Sequence, residues 1–276
     1  MKKNFFTYFI ILSVFSLSLN ACKSADTKTI NSTEPSVREY SVQSVLWQQN
    51  AAEYIALCYQ AFNVAKLNID QFVADETLKG KKLAIITDID ETVIDNSPYN
   101  AKLIELDEEF TQEKWNDWTS REEAEEVPGA AEFLNYAAEK GVEVFYITNR
   151  MEGERVATLK NMKKLNFPFT DDEHLLLRTE TSSKKDRFEK VRADKNREVV
   201  MYLGDNLSDF SHGFEAPSTQ ERNDLAKHYQ ENWGINFIVL PNPMYGDWET
   251  KGIYKGKYDW NNKEKDSIRK AELRTY

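Results

Sequence analysis

The run Leu83-Ala84-Ile85-Ile86-Thr87-Asp88-Ile89-Asp90-Glu91-Thr92 constrains this chain more than any other stretch. It is apolar and β-branched, and it breaks off in two carboxylates two residues apart. Such a run reads as a strand buried on both faces, as in a parallel sheet. Ligands of open parallel sheets gather at the carboxyl ends of the strands. Asp88 and Asp90 therefore stand where chemistry is expected. One Asp after a strand is commonly a turn or helix cap. Two at this edge, followed by Asp95-Asn96-Ser97-Pro98-Tyr99, imply either a shared proton or a metal ion, because like charges this close raise one pKa.

Further strands follow at regular intervals. Residues 142–148 end in Thr148-Asn149-Arg150, and Leu175-Leu176-Leu177 is short. Residues 199–203 end in Gly204-Asp205-Asn206, and residues 236–240 end in Pro241-Asn242-Pro243. Helical patterns lie between them, at 130–139, about 152–165 and 184–193. Before the first strand, residues 37–78 carry apolar side chains at helical spacing, as one or two long helices. Strands alternating with helices predict an α/β fold, a parallel Rossmann-like sheet flanked by helices. Residues 95–127, dense in Glu, Asp and Trp, read as a small, mainly helical cap inserted after the first strand.

The N-terminus reads as a targeting segment. Lys2 and Lys3 precede an apolar stretch too short to span a bilayer, and Leu19-Asn20-Ala21-Cys22 follows. Residues 1–21 are expected to be a signal peptide, with Cys22 lipidated as in a bacterial lipoprotein. The alternative is a plain secretory signal. Residues 22–36, rich in Ser, Thr and Lys, read as a flexible tether. Cys58 then has no partner for an internal disulfide and is expected to be a buried structural thiol. The net charge of −10 argues against nucleic-acid binding.

The polar strand ends converge on one edge of such a sheet. Asp88 and Asp205 could hold one hard divalent cation, with Asp209 joining them or orienting its waters. Thr148 could hydrogen-bond a phosphoryl oxygen. Lys184 could neutralise charge there, and Asp90 could hold a proton for a leaving oxygen.

Four segments resemble the motifs of the haloacid dehalogenase superfamily, and more narrowly the class C acid phosphatases, which are bacterial lipoproteins with four signature aspartates. They are Asp88-Ile-Asp-Glu-Thr-Val-Ile-Asp-Asn-Ser-Pro-Tyr99, Ile147-Thr-Asn-Arg150, Lys184-Lys-Asp-Arg-Phe188 and Gly204-Asp-Asn-Leu-Ser-Asp-Phe210. The resemblance covers roughly residues 40–250. It implies a phosphomonoesterase, often acting on nucleoside 5′-monophosphates or nicotinamide mononucleotide. It also implies Asp88 as nucleophile, Asp90 as acid and then base, and catalytic contributions from Thr148 and a lysine. Lys184 is selected by alignment on Arg187-Phe188, but spacing to Asp205 leaves Lys185 open. Mg²⁺ is implied on Asp88, the backbone carbonyl of Asp90, Asp205 and the Asp209 region. Substrate contacts are implied for Asn149, Trp115 and Tyr245, the last two as aromatic platforms. The location implied is the bacterial envelope, with an outer-membrane anchor through Cys22 and a homodimer left open.

Competing classes fare less well. A receiver-type signalling module needs its phospho-acceptor after the third strand, where Arg178-Thr179 stand instead. Two carboxylates on one turn cannot flank a glycosidic bond, and no Gly-rich phosphate loop is present. An envelope lipoprotein that keeps the fold and binds a ligand without significant turnover is the remaining alternative.

Overall fold

A computed structural model describes residues 36–215 and 218–276. The expected signal peptide, Cys22 and nearly all of the tether lie outside the described residues.

Five strands form one parallel sheet in the order β5-β4-β1-β6-β7. They are β1 (Lys82–Thr87), β4 (Glu143–Met151), β5 (Leu175–Arg178), β6 (Arg197–Gly204) and β7 (Phe237–Val239). β1 is central and buried from Leu83 to Thr87. The chain leaves β1 for β4 and β5 on one side, then returns to β6 and β7 on the other. This reversal is where an open α/β sheet forms its ligand crevice.

Alternate side chains serve opposite faces. One face packs Ile85, Val144, Tyr146, Met201 and Leu203 against Tyr54, Cys58, Phe62, Ala65 and Ile69 of α2 (Ala52–Ala74), and against α5 (Ala130–Glu139). Phe62 stacks on Phe133 with ring centroids 5.5 Å apart. Cys58 is fully buried in this layer. The other face packs Ile86, Phe145, Ile147 and Tyr202 against Phe188 and Val191 of α7 (Lys185–Arg192) and against Phe210 and Phe214.

The segment expected to be one or two helices is two: α1 (Glu39–Asn50) and α2, divided at Ala51, whose backbone is extended. β4 runs on past its expected end at residue 148, because Met151 pairs with Arg178 of β5. The following helix starts later than expected. Residues Glu152–Glu154 form a 3₁₀ turn, and α6 spans Arg155–Lys164.

The insertion after β1 is closed at its base by a two-stranded antiparallel ribbon, β2 (Ile94–Asp95) with β3 (Glu125–Glu126). Between them lie α3 (Ser97–Leu106) and α4 (Gln112–Ser120). The α4 start is capped by Thr111, which accepts from the Lys114 amide at 3.3 Å. Two elements carry no sequence expectation: α8 (Thr219–His228) and a π-helical turn at Trp248–Ile253. The basic C-terminal stretch contains α9 (Asn262–Ala271), which ties Lys265 to Glu109 of the insertion at 2.6 Å.

Candidate active site

Asp88 is the first residue past β1. Its amide donates to the Leu203 carbonyl at 3.0 Å, fixing the end of β1 to that of β6. The chain then turns sharply, with the amides of Val93 and Ile94 both donating to the Ile89 carbonyl at 2.9 Å. Ile89 and Val93 are fully buried and anchor the loop from below. Glu91 sits at φ +60°, a left-handed conformation costly for a side chain of this kind.

Asp205 follows β6, and Asp209 closes a 3₁₀ turn at Leu207–Asp209. Asp209 folds back to accept the Asn206 amide at 3.0 Å. That fold-back requires Gly204: a Cβ there would collide with the Asp209 side chain. Carboxylate oxygens of Asp88, Asp205 and Asp209 all lie within 4.8 Å of one another. Lys184, the residue capping α7, bridges two of them: its ammonium contacts Asp88 and lies 2.7 Å from Asp209. Lys185 is exposed. Of the two lysines that spacing left open, Lys184 is the one whose ammonium meets these carboxylates.

Three carboxylates crowd a largely buried pocket, and one ammonium bridges two of them. Burial pushes the Asp88 carboxyl up to about 7; Lys184 opposes this, and Asp209 and Asp90 add to it. Burial, then Asp209 and Asp88, raise Asp205 well above the usual range. Burial would lower the Lys184 ammonium, but Asp209 and Asp88 outweigh it and hold it above its ordinary value. Such crowding of hard oxygen donors, with negative charge in excess, could hold a divalent metal ion. Thr92 donates to Asp205 at 3.2 Å, and Asn242 donates to its other oxygen at 2.8 Å.

The Asp90 side chain points elsewhere and does not join that trio. Arg150 grips it, with Nη2 2.7 Å and Nε 3.0 Å from Oδ1. Asn96 donates to the same oxygen at 3.0 Å. Oδ2 receives longer contacts, from Nε at 3.2 Å and the Thr148 hydroxyl at 3.3 Å. Thr148 thus reaches Asp90, while its carbonyl is held by Arg187. Asn149 is exposed, and its amide oxygen accepts from Arg187 at 2.8 Å.

The two aromatic candidates are tied to the same loop by separate partners. Trp115 lies edge-on to Tyr99 with centroids 5.0 Å apart, and the Arg150 guanidinium sits 5.6 Å over its ring. Tyr245 donates its hydroxyl to Glu91, a fully buried carboxyl that also accepts the Asn96 amide at 2.9 Å. Burial, followed by Asp90 and Asp205, pushes the Glu91 carboxyl well up.

Sequence reading gave no role to Arg150, Arg187, Asn96, Thr92 or Trp118. Arg150 and Arg187 stood in quoted motifs, but their partners are remote in sequence. The Trp115/Trp118 spacing was a legible signal, since residues three apart share a helix face.

Comparison with known proteins places these features. The family model described as HAD superfamily, subfamily IIIB (Acid phosphatase), matches residues 11–248. Two solved structures of the class C acid phosphatase from Bacillus anthracis are similar to this chain. One superposes with a TM-score of 0.82 at 38% identity, the other, with tungstate bound, with 0.83 at 37%. Each alignment covers 88% of this chain and 100% of the other. The stem 31 kDa glycoprotein of Glycine max is 27% identical over 162 residues, which spans 57% of this chain and 57% of that protein's length.

Proposed function

The chain belongs to the acid phosphatases of HAD subfamily IIIB, and on that premise we propose that it hydrolyses phosphomonoesters with Asp88 as nucleophile. The observation that carries this reading is the pairing at one strand end. Asp88 lies beside Lys184, Asp205 and Asp209, while Asp90, two residues on, is held apart by Arg150.

In the first half-reaction an Asp88 carboxylate oxygen forms a bond to phosphorus as the ester oxygen leaves. The leaving oxygen takes a proton from Asp90, which becomes a carboxylate. In the second half-reaction Asp90 takes a proton from water. That water displaces the Asp88 oxygen from phosphorus and releases phosphate. Lys184 offsets charge on the transferring oxygens, and the Thr148 hydroxyl supports Asp90. The Asp88, Asp205 and Asp209 carboxylates, with the Asp90 carbonyl, would hold Mg²⁺. When bound, such an ion neutralises charge developing on the phosphoryl oxygens.

Nucleoside 5′-monophosphates and nicotinamide mononucleotide are the proposed substrates, with Trp115 and Tyr245 as platforms for the base and Asn149 at the pocket rim. An N-terminal lipid on Cys22 would hold the enzyme on the bacterial envelope, through the lipobox-like Leu19-Asn20-Ala21-Cys22. The Asp88→Asn variant tests the chemistry. It should fold, by circular dichroism, and lose turnover of p-nitrophenyl phosphate; activity close to the parent's would refute Asp88 as nucleophile.

A further inference from the structure

We propose that Arg150 is a positioning residue that couples the aromatic face of α4 to the acid–base carboxylate Asp90, so that leaving groups stacked on Trp115 are the ones best protonated. The inference rests on the phosphomonoesterase reading above and deepens it.

Arg150 is only 2% exposed. Its guanidinium is fixed at two corners: a forked contact to Asp90, and an Nη1 bond to the Thr158 hydroxyl at 3.1 Å. Its face lies against Trp115. The second tryptophan of α4 reaches the same carboxylate by another route. Trp118 Nε1 donates to Asn96 Oδ1 at 2.8 Å, and Asn96 Nδ2 donates on to Asp90 Oδ1 at 3.0 Å. Both indoles, three residues apart on one helix, are thus one side chain away from Asp90.

The contacts are unequal between the two Asp90 oxygens. Oδ1 takes Nη2, Nε and the Asn96 amide, at 2.7–3.0 Å. Oδ2 takes only the longer contacts, at 3.2 and 3.3 Å. The fork therefore holds Oδ1 tightly and leaves Oδ2 the more loosely held of the two oxygens. A lysine keeps the charge at this position but cannot reproduce the fork. Trp115 is at once the platform for a leaving group and a wall of the Arg150 pocket. Its occupancy and the aim of Asp90 are consequently linked through a single guanidinium.

The test compares kcat/KM, which reports the phosphoryl-transfer step before any common hydrolysis of the intermediate. The enzymes are the full chain, Arg150→Lys, Arg150→Met, Asp90→Asn and Trp115→Leu, with Mg²⁺ present. The substrates are a nucleoside 5′-monophosphate, which leaves as an alkoxide and needs a proton, and p-nitrophenyl phosphate, whose phenolate leaves without one. Arg150→Lys should lower kcat/KM for the nucleotide about 100-fold, the scale of a general-acid contribution, and that for p-nitrophenyl phosphate less than about tenfold. Combining Arg150→Lys with Trp115→Leu should cost less on the nucleotide than the product of the two single effects. If Arg150→Met does not fold, Arg150→Lys alone decides.

Equal losses on both substrates, no loss on either, or strictly multiplicative effects would overturn the coupling. Leaving-group dependence in Asp90→Asn but not in Arg150→Lys would overturn the coupling and leave the acid–base assignment standing. No leaving-group dependence in Asp90→Asn would overturn that assignment, and the coupling with it.

Discussion

At Asp88 a carboxylate is buried beside Asp205 and Asp209, and Lys184 supplies the ammonium in contact with the group. The four aspartates were legible in the sequence because each follows an apolar strand, and the strand itself delivers it to the common edge. The choice between Lys184 and Lys185 was not legible. It depends on which residue caps α7 and faces inward, a rotation that spacing does not encode. Arg150 was harder still, since its partner Asp90 lies across the β1–β4 boundary and Trp115 lies in the insertion. Trp115 carries the residue-scale prediction. Stacking of a base on an aromatic ring is worth about 1–3 kcal/mol. Trp115→Ala should therefore raise KM for nucleoside monophosphates about tenfold or more, and KM for small aliphatic phosphates far less. Steady-state kinetics on both substrates decide this; equal increases would make the ring a packing element only.

The elements were legible wherever burial is two-sided. β1 reads as continuously apolar because helices cover both faces, and the observed Lys82–Thr87 lies one residue earlier than the expected 83–88. Boundaries set by pairing were not legible: β4 continues to Met151 only because Arg178 of β5 meets it there. The π-helical turn at Trp248–Ile253 and α8 lack strong apolar periodicity and gave no signal. α5 starts at residue 130, where its helical pattern begins, and Gly129 before it shows the physical reason. Gly129 has φ +91°, and a Cβ there would lie 3.0 Å from Tyr59 and 3.3 Å from Phe62 of α2. Gly129→Ala should destabilise the protein by about 1–3 kcal/mol through the left-handed backbone, with added crowding against α2. Thermal denaturation should show a lower Tm with KM unchanged; an unaltered Tm would mean that α2 yields without cost.

For the whole molecule, topology decides where the chemistry lies. The strand order reverses around β1, and residues from β1, β4, β6 and the lysine capping α7 meet at that edge. A chain with net charge −10 places further negative charge at this point, which favours a site completed by a cation. Without metal, Asp88 binds its proton more tightly in the folded state, with its carboxyl raised from 3.8 to about 7. The stability from that proton is fully present below the unfolded value and is lost as pH rises through about 7. Metal binding needs the ionised carboxylates and so opposes the loss. The Tm of EDTA-treated protein should fall between pH 5 and 8, and the Tm gain on adding Mg²⁺ should grow over the same range. A gain independent of pH would contradict the proposed donor set. The most direct measurement is phosphate release from nucleoside 5′-monophosphates and nicotinamide mononucleotide, with Mg²⁺ or EDTA, by the parent and Asp88→Asn proteins side by side. Release is expected from the parent with Mg²⁺, little with EDTA, and none from Asp88→Asn. Release that survives in Asp88→Asn would contradict the nucleophile; no release from any monoester by the folded parent would identify a binding lipoprotein instead.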